Sequence, residues 1–127
     1  SCPLFVPLVE EGLTRGPITK LIVESYLSHF KNTDVDTLIL GCTHYPILTA
    51  VIKDVVGNNI SLVDSGKATA KVVMDVLKKN GILSEESNGG VHSFVTDSKQ
   101  SFQKVITKAL TSEINISIKS INRIDIG

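Results

Sequence analysis

Three reactive side chains stand in succession at Cys42, Thr43 and His44, with Gly41 before them and Tyr45-Pro46 after. A thiol, a hydroxyl and an imidazole offer a proton carrier or nucleophile, a hydrogen-bonding group and a base. A free cysteine has a pKa near 8.5, so at about pH 7.5 roughly a tenth is thiolate, and a neighbouring cation or helix N-terminus raises that share. Lowering such a pKa by two units takes about 2.7 kcal/mol of differential stabilisation. A histidine and helix amides together can supply it, giving a thiol that exchanges a proton near neutral pH, as general acid–base catalysis requires. A lone cysteine is more often a small buried apolar residue than a catalyst. Here the glycine before it, the histidine two residues on and the helix start just after argue for chemistry.

Pro46 sets the expected geometry. The residue before a proline is driven out of the helical region, so Tyr45 is expected to be extended and the helix to begin at Pro46. A near-extended stretch over 42–44 points Cys42 and His44 to the same side. The first-turn amides of Ile47, Leu48 and Thr49 then form an anion site beside the thiol, suited to a substrate carboxylate.

The elements that position these residues follow from periodicity. Residues 38–40 are a short apolar strand, so the reactive triplet falls at its carboxyl end, where open α/β sheets bind ligands. Residues 4–9 read as a buried strand, with Pro7 at its end or edge, and Glu10 and Glu11 follow. Ile18, Leu21, Ile22, Tyr26 and Phe30 recur at helical spacing, with Thr14 or Thr19 near the start. Ile47, Leu48, Val51, Ile52 and Val55 mark the helix after the triplet, which stops at Gly57. Residues 60–63 are a strand and 68–79 a helix with Val72, Val73, Val76 and Leu77 inward. Residues 84–90 are a polar loop and 91–96 a strand. Asp97 or Ser98 caps a helix carrying Phe102, Val105, Ile106 and Leu110, and Ile114, Ile116 and Ile118 alternate as a last strand. Strand and helix by turns predict an α/β fold with a mainly parallel sheet.

The totals narrow the function. At 127 residues there is core for one compact domain. The chain starts at Ser1 with apolar residues close behind, and reads as a piece cut from something longer. Thirteen basic residues balance thirteen acidic ones, without the surplus that attracts nucleic acid. No apolar run is long enough to span a bilayer, so nucleic acid and membrane are both set aside as partners. Two cysteines make no disulfide framework and suit a reducing cytoplasm. Zinc needs three or four ligands, and Cys2, His29 and His92 stand at no metal spacing from Cys42 and His44, so no metal is expected. Ser65-Gly66-Lys67-Ala68 lacks the hydroxyl that a phosphate loop carries after its lysine.

Three blocks, Cys2-Pro-Leu-Phe-Val-Pro-Leu-Val-Glu10, Leu40-Gly-Cys-Thr-His-Tyr-Pro46 and Leu62-Val-Asp-Ser-Gly66, come in an order and at intervals that resemble the second half of a bacterial glutamate racemase. The aspartate racemases are a related alternative, though an acidic residue commonly stands there in place of His44. The resemblance implies a cofactor-independent isomerase, with no cofactor, that interconverts L- and D-glutamate in the cytoplasm for peptidoglycan and so serves cell wall biogenesis and cell shape. It implies two cysteines flanking the substrate α-carbon, of which Cys42 matches the second. It makes Thr43 and His44 substrate contacts, with His44 also assisting the thiol, and Glu10 an acidic residue on that side of the site. The first catalytic cysteine has no counterpart here, since Cys2 lies in a structural block. It further implies a two-domain racemase fold, with residues 1–64 the back half of one domain and 65–127 part of the other. Half-domains leave apolar faces uncovered, which favours association, including a homo-oligomer. A reading from another class is a non-catalytic carboxylate-binding or interaction module in which Cys42 is structural.

Overall fold

The computed structural model describes residues 1–86, 89–111 and 117–126. The elements run α1 (Phe5–Glu10), α2 (Pro17–Leu27), β1 (Thr37–Leu40), α3 (Thr49–Val56), β2 (Ser61–Asp64), α4 (Ser65–Lys79), β3 (Gly90–Val95), α5 (Lys99–Thr111) and β4 (Ser117–Arg123). The architecture is mixed α/β with parallel strand pairs, as the alternation predicts. It divides into two compact units, Ser1–Leu83 and Ser84–Gly127.

In the first unit β1 and β2 pair in parallel, Thr37 opposite Ser61 through Leu40 opposite Asp64. The pleat sends Leu40 into the core, while Ile39 and Val63, opposite each other, face outward. α3 supplies the core with Val51, Ile52, Val55 and Val56, and Leu48 joins them from the turn before it. It stops where Gly57 takes φ 88°, a conformation that suits glycine, with its N–H on the Lys53 carbonyl. Lys53 then reaches back to donate to the Ile60 carbonyl at the start of β2.

Residues 4–9, expected as a strand, are the helix α1 with Leu4 at its cap. An apolar run this short does not distinguish strand from helix. The buried residues Phe5, Leu8 and Val9 fall at helical spacing. Pro7 lies in the first turn, where its missing N–H breaks no bond, and its carbonyl accepts the Glu11 N–H at 3.0 Å.

α2 opens on Gly16 at φ 100° followed by Pro17 at its first position. Its buried stripe is Thr19, Val23 and Leu27, whereas Ile18 and Leu21, expected inward, are exposed. Thr19 decides the rotation. Its hydroxyl is placed between the carbonyls of Leu13 (2.9 Å) and Arg15 (3.2 Å), tying the preceding loop to the helix. A 3-10 turn, Ser28–Asn32, carries the chain on beyond Leu27.

α4 starts at Ser65, three residues before the expected position, because the Asp64 carboxylate accepts the N–H groups of Gly66 (2.8 Å) and Lys67 (3.3 Å). Val72, Val73 and Val76 were expected inward. They are 61, 50 and 51 % exposed, and α4 has no buried residue. No described element of its unit covers that face.

In the second unit β3 and β4 pair in parallel with a register shift between Val91 and His92, and α5 lies between them in the chain order. Ser98 rather than Asp97 caps α5, accepting the Ser101 N–H on its hydroxyl and the Phe102 N–H on its carbonyl. Ile118 lies in β4; Ile114, Ile116 and the Leu110 side chain lie outside the described residues, as do Ser87 and Asn88 of the expected loop.

The core and the α4 face should respond very unequally to truncation. Ile52→Ala, at a site with no solvent exposure, should cost about 3 kcal/mol in urea unfolding. Val72→Ser should change it by less than about 0.5 kcal/mol.

Candidate functional site

β1 ends at Leu40, and Gly41 closes a tight turn onto the Ile39 carbonyl at 3.0 Å. Residues 42–44 do not continue extended. The Tyr45 N–H bonds the Cys42 carbonyl at 3.3 Å, His44 is helical at φ −83°, ψ −31°, and Tyr45 opens a 3-10 turn, Tyr45–Leu48. The preference of a pre-proline residue for extended backbone is thus overcome by the bonds that close this turn. One consequence removes part of the expected anion site. The Ile47 N–H bonds the His44 carbonyl at 3.1 Å and the Thr49 N–H bonds the Pro46 carbonyl, so these amides are already engaged in the turn.

The turn gathers the predicted side chains. The His44 Nδ1 is 3.3 Å from the Thr43 hydroxyl, and its Nε2 is 3.8 Å from the Glu10 carboxylate. A carboxylate facing Nε2 favours a proton there, which leaves Nδ1 of the neutral ring to accept from Thr43. Glu10 comes from the last position of α1, 34 residues before His44, and no spacing rule brings the two together. The ring is only 28 % exposed and the carboxylate 56 %. Cys42 is a free thiol, half-buried at the head of the same turn.

Behind the turn stands an aromatic row that periodicity did not reveal. Phe5, fully buried, meets the ring of Tyr26 edge-on at 5.6 Å and that of Tyr45 at 5.2 Å. The Tyr45 hydroxyl donates to the Cys2 carbonyl at 3.4 Å. Burial pushes the Tyr45 phenol above its ordinary 10.0, and the nearby Cys2 and Cys42 side chains push it the same way. Burial also raises the Cys2 thiol above 9.0, opposed by the chain's terminal amine.

In front of the turn an open groove of 620 Å³ runs from Thr43 past Ser65, Gly66 and Thr69 to an apolar end at Val73, Met74, Leu77 and Leu83. Thr43 follows β1 and Ser65 follows β2, so the groove lies at the carboxyl ends of the parallel pair. The other histidines are elsewhere. His29 stacks on Phe30 at 4.1 Å, and His92 pairs with the Ser120 hydroxyl at 2.9 Å. Among the described residues no three His, Cys, Asp or Glu side chains are grouped to hold a metal, and no helix is long and apolar enough to cross a membrane.

No protein-family model matches the chain. Individual relatives do. A glutamate racemase of Chlorobaculum parvum is 43% identical over 115 residues, which is 90% of this chain and 42% of the relative. Among solved structures, the glutamate racemase of Francisella tularensis in complex with D-glutamate matches with a TM-score of 0.77 at 31% identity, over 98% of this chain and 45% of that one. A glutamate racemase isoform of Bacillus anthracis matches with a TM-score of 0.78 at 32% identity, again over 98% and 45%. The chain spans a little under half the length of the relatives it matches.

The raised Tyr45 and Cys2 pKa values mean that the folded chain holds these protons more tightly than the unfolded one. Their contribution to stability is therefore complete below about pH 9 and is lost as pH rises past 9.0 and then 10.0. Urea midpoints should fall over that range, and Tyr45→Phe should flatten the part above pH 10.

Proposed function

This chain belongs to the glutamate racemase family, corresponding to the carboxy-terminal half of its members, and from that premise we propose that it carries one of the two acid–base thiols of a cofactor-independent racemase. Cys42 is that thiol. In one direction its thiolate removes the α-proton of glutamate, forming an S–H bond as the C–H bond breaks. A second thiol on the opposite face then gives up its proton to the α-carbon, and the configuration is inverted. In the other direction Cys42 is the donor. The balance is one proton taken and one returned, with no net redox change.

The remaining residues have roles that the geometry supports. His44, held between Thr43 and Glu10, orients the turn and, when protonated, favours the thiolate electrostatically. Thr43 lies on the groove together with Ser65 and Gly66, where a hydroxyl can hold a substrate carboxylate. Glu10 fixes His44 from the side of α1. The observation that carries the reading is this convergence. Over nine-tenths of the chain aligns with glutamate racemases, and the side chains able to move a proton meet at the carboxyl end of β1.

The second thiol would come from the half of the enzyme that this chain does not span. We place the crossing between domains after Asp64, with residues 1–64 in one domain and 65–127 in the other, although the chain's own packing groups α4 with the first unit, Ser1–Leu83. The exposed valines of α4 support that division, since a helix built for the other domain finds no cover in this unit. D-glutamate made in this way would supply peptidoglycan in the cytoplasm.

The 127-residue chain alone should leave the circular dichroism of L-glutamate unchanged, and sustained loss of the signal would overturn the need for a second thiol. In an active racemase carrying this sequence, Cys42→Ala should abolish turnover. Glu10→Gln should lower kcat by about tenfold, with kcat against pH measured to locate the effect on the acid limb.

A further inference from the structure

We propose that Tyr45 is a positioning residue for Cys42, pinning the reactive turn to the start of α1 through the Cys2 carbonyl; the inference rests on the racemase reading of the site. The turn is closed by the Tyr45 N–H on the Cys42 carbonyl at 3.3 Å, so wherever Tyr45 is held, the Cys42 backbone is held as well. Tyr45 is held by its side chain. Its hydroxyl reaches the Cys2 carbonyl, 43 residues away in sequence, at 3.4 Å, and its ring meets the edge of buried Phe5 at 5.2 Å.

The Cys2 carbonyl is the pivot. It accepts the Phe5 N–H at 3.1 Å, which starts α1, and the Tyr45 hydroxyl as well, using both of its lone pairs. The opposite end of α1 presents Glu10 to His44 at 3.8 Å. The segment from Cys2 to Glu10 therefore meets the turn at two points, at Tyr45 through the Cys2 carbonyl and at His44 through the Glu10 carboxylate. Cys42 lies in the same turn. A thiol that must meet an α-carbon on one face needs placement within fractions of an ångström, and a misplacement near 1 Å costs about a hundredfold in rate. The upward shift of the Tyr45 phenol agrees with this arrangement, because it keeps the hydroxyl protonated and donating at any physiological pH.

Tyr45→Phe deletes the hydroxyl and keeps the ring on Phe5. In the 127-residue chain with Cys2→Ser, which preserves the Cys2 carbonyl and leaves Cys42 the single thiol, iodoacetamide should alkylate Cys42 several-fold faster when Tyr45→Phe is added. An unchanged rate overturns the proposal. Val23→Ala, at a buried site in α2, should lower thermal stability without changing the alkylation rate well below the melting range. An equal rise there would make the effect global and overturn the proposal too. In an active racemase carrying this sequence, Tyr45→Phe should lower kcat/KM about tenfold in both directions alike, because the two enantiomers have equal free energy. The α-deuterium isotope effect should rise in the one direction in which Cys42 removes the α-proton. A variant that merely reduced the amount of folded enzyme would leave both isotope effects as they are, and that result overturns the positioning role. Faster alkylation of Tyr45→Phe alongside a parent enzyme that racemises nothing would remove the racemase reading and leave the role of Tyr45 in holding the turn.

Discussion

Phe5 is the wedge on which the reactive half of the molecule depends. It is buried between Tyr26 of α2 and Tyr45 of the turn after β1, with both rings meeting it edge-on. Such edge contacts add about 0.5–1.5 kcal/mol each beyond the area they bury. Their geometric effect is larger than their energy. They lock α1 against α2 on one side and against the Cys42–Tyr45 turn on the other. Without that wedge α1 is a six-residue helix, far too short to persist alone, and Glu10 has no fixed relation to His44.

The same unit is well packed on one side and bare on the other. α3, Leu40 and Ile60 close an apolar core beneath the β1–β2 pair. The opposite face shows Ile39 at 73 % exposure beside Val63, and α4 buries nothing. A two-stranded parallel pair is marginal by itself, and parallel sheets are normally covered on both faces. The unit leaves this surface uncovered, and the chain matches less than half the length of each relative. The groove is polar where Thr43 and Ser65 meet and walled at its far end by that bare helix face.

Much of this was legible in the residues. The alternation of strand and helix, the stop at Gly57 and the reactive triplet at a strand end all follow from local rules. The parallel pairing follows from the same alternation. Three features resisted for physical reasons. Residues 4–9 are apolar almost throughout, so periodicity cannot tell strand from helix, and the choice is made by which of them reach the core. Thr19 is polar, yet it lies fully buried because two loop carbonyls need a donor; a hydrophobic count therefore rotates α2 the wrong way. Tyr45 precedes a proline, yet it leaves the extended region, since the turn it closes and the ring contacts it makes outweigh a local preference. The Glu10 and His44 pairing is a tertiary contact that spacing could not announce; resemblance put both residues on one side of the site, and only the fold brings them to 3.8 Å.

The charges at the site set a further constraint. Glu10 is more than half exposed and 3.8 Å from an imidazole, and a pair so solvated adds little to stability. Its value must lie elsewhere. A carboxylate at that distance still selects the ring tautomer and directs Nδ1 to Thr43, which costs almost nothing while water is present. Shielded from water, the ring dipole would feel the same carboxylate through a poorer dielectric, several-fold more strongly. A pair made of a half-buried ring and an exposed carboxylate is weak in water and gains strength when shielded.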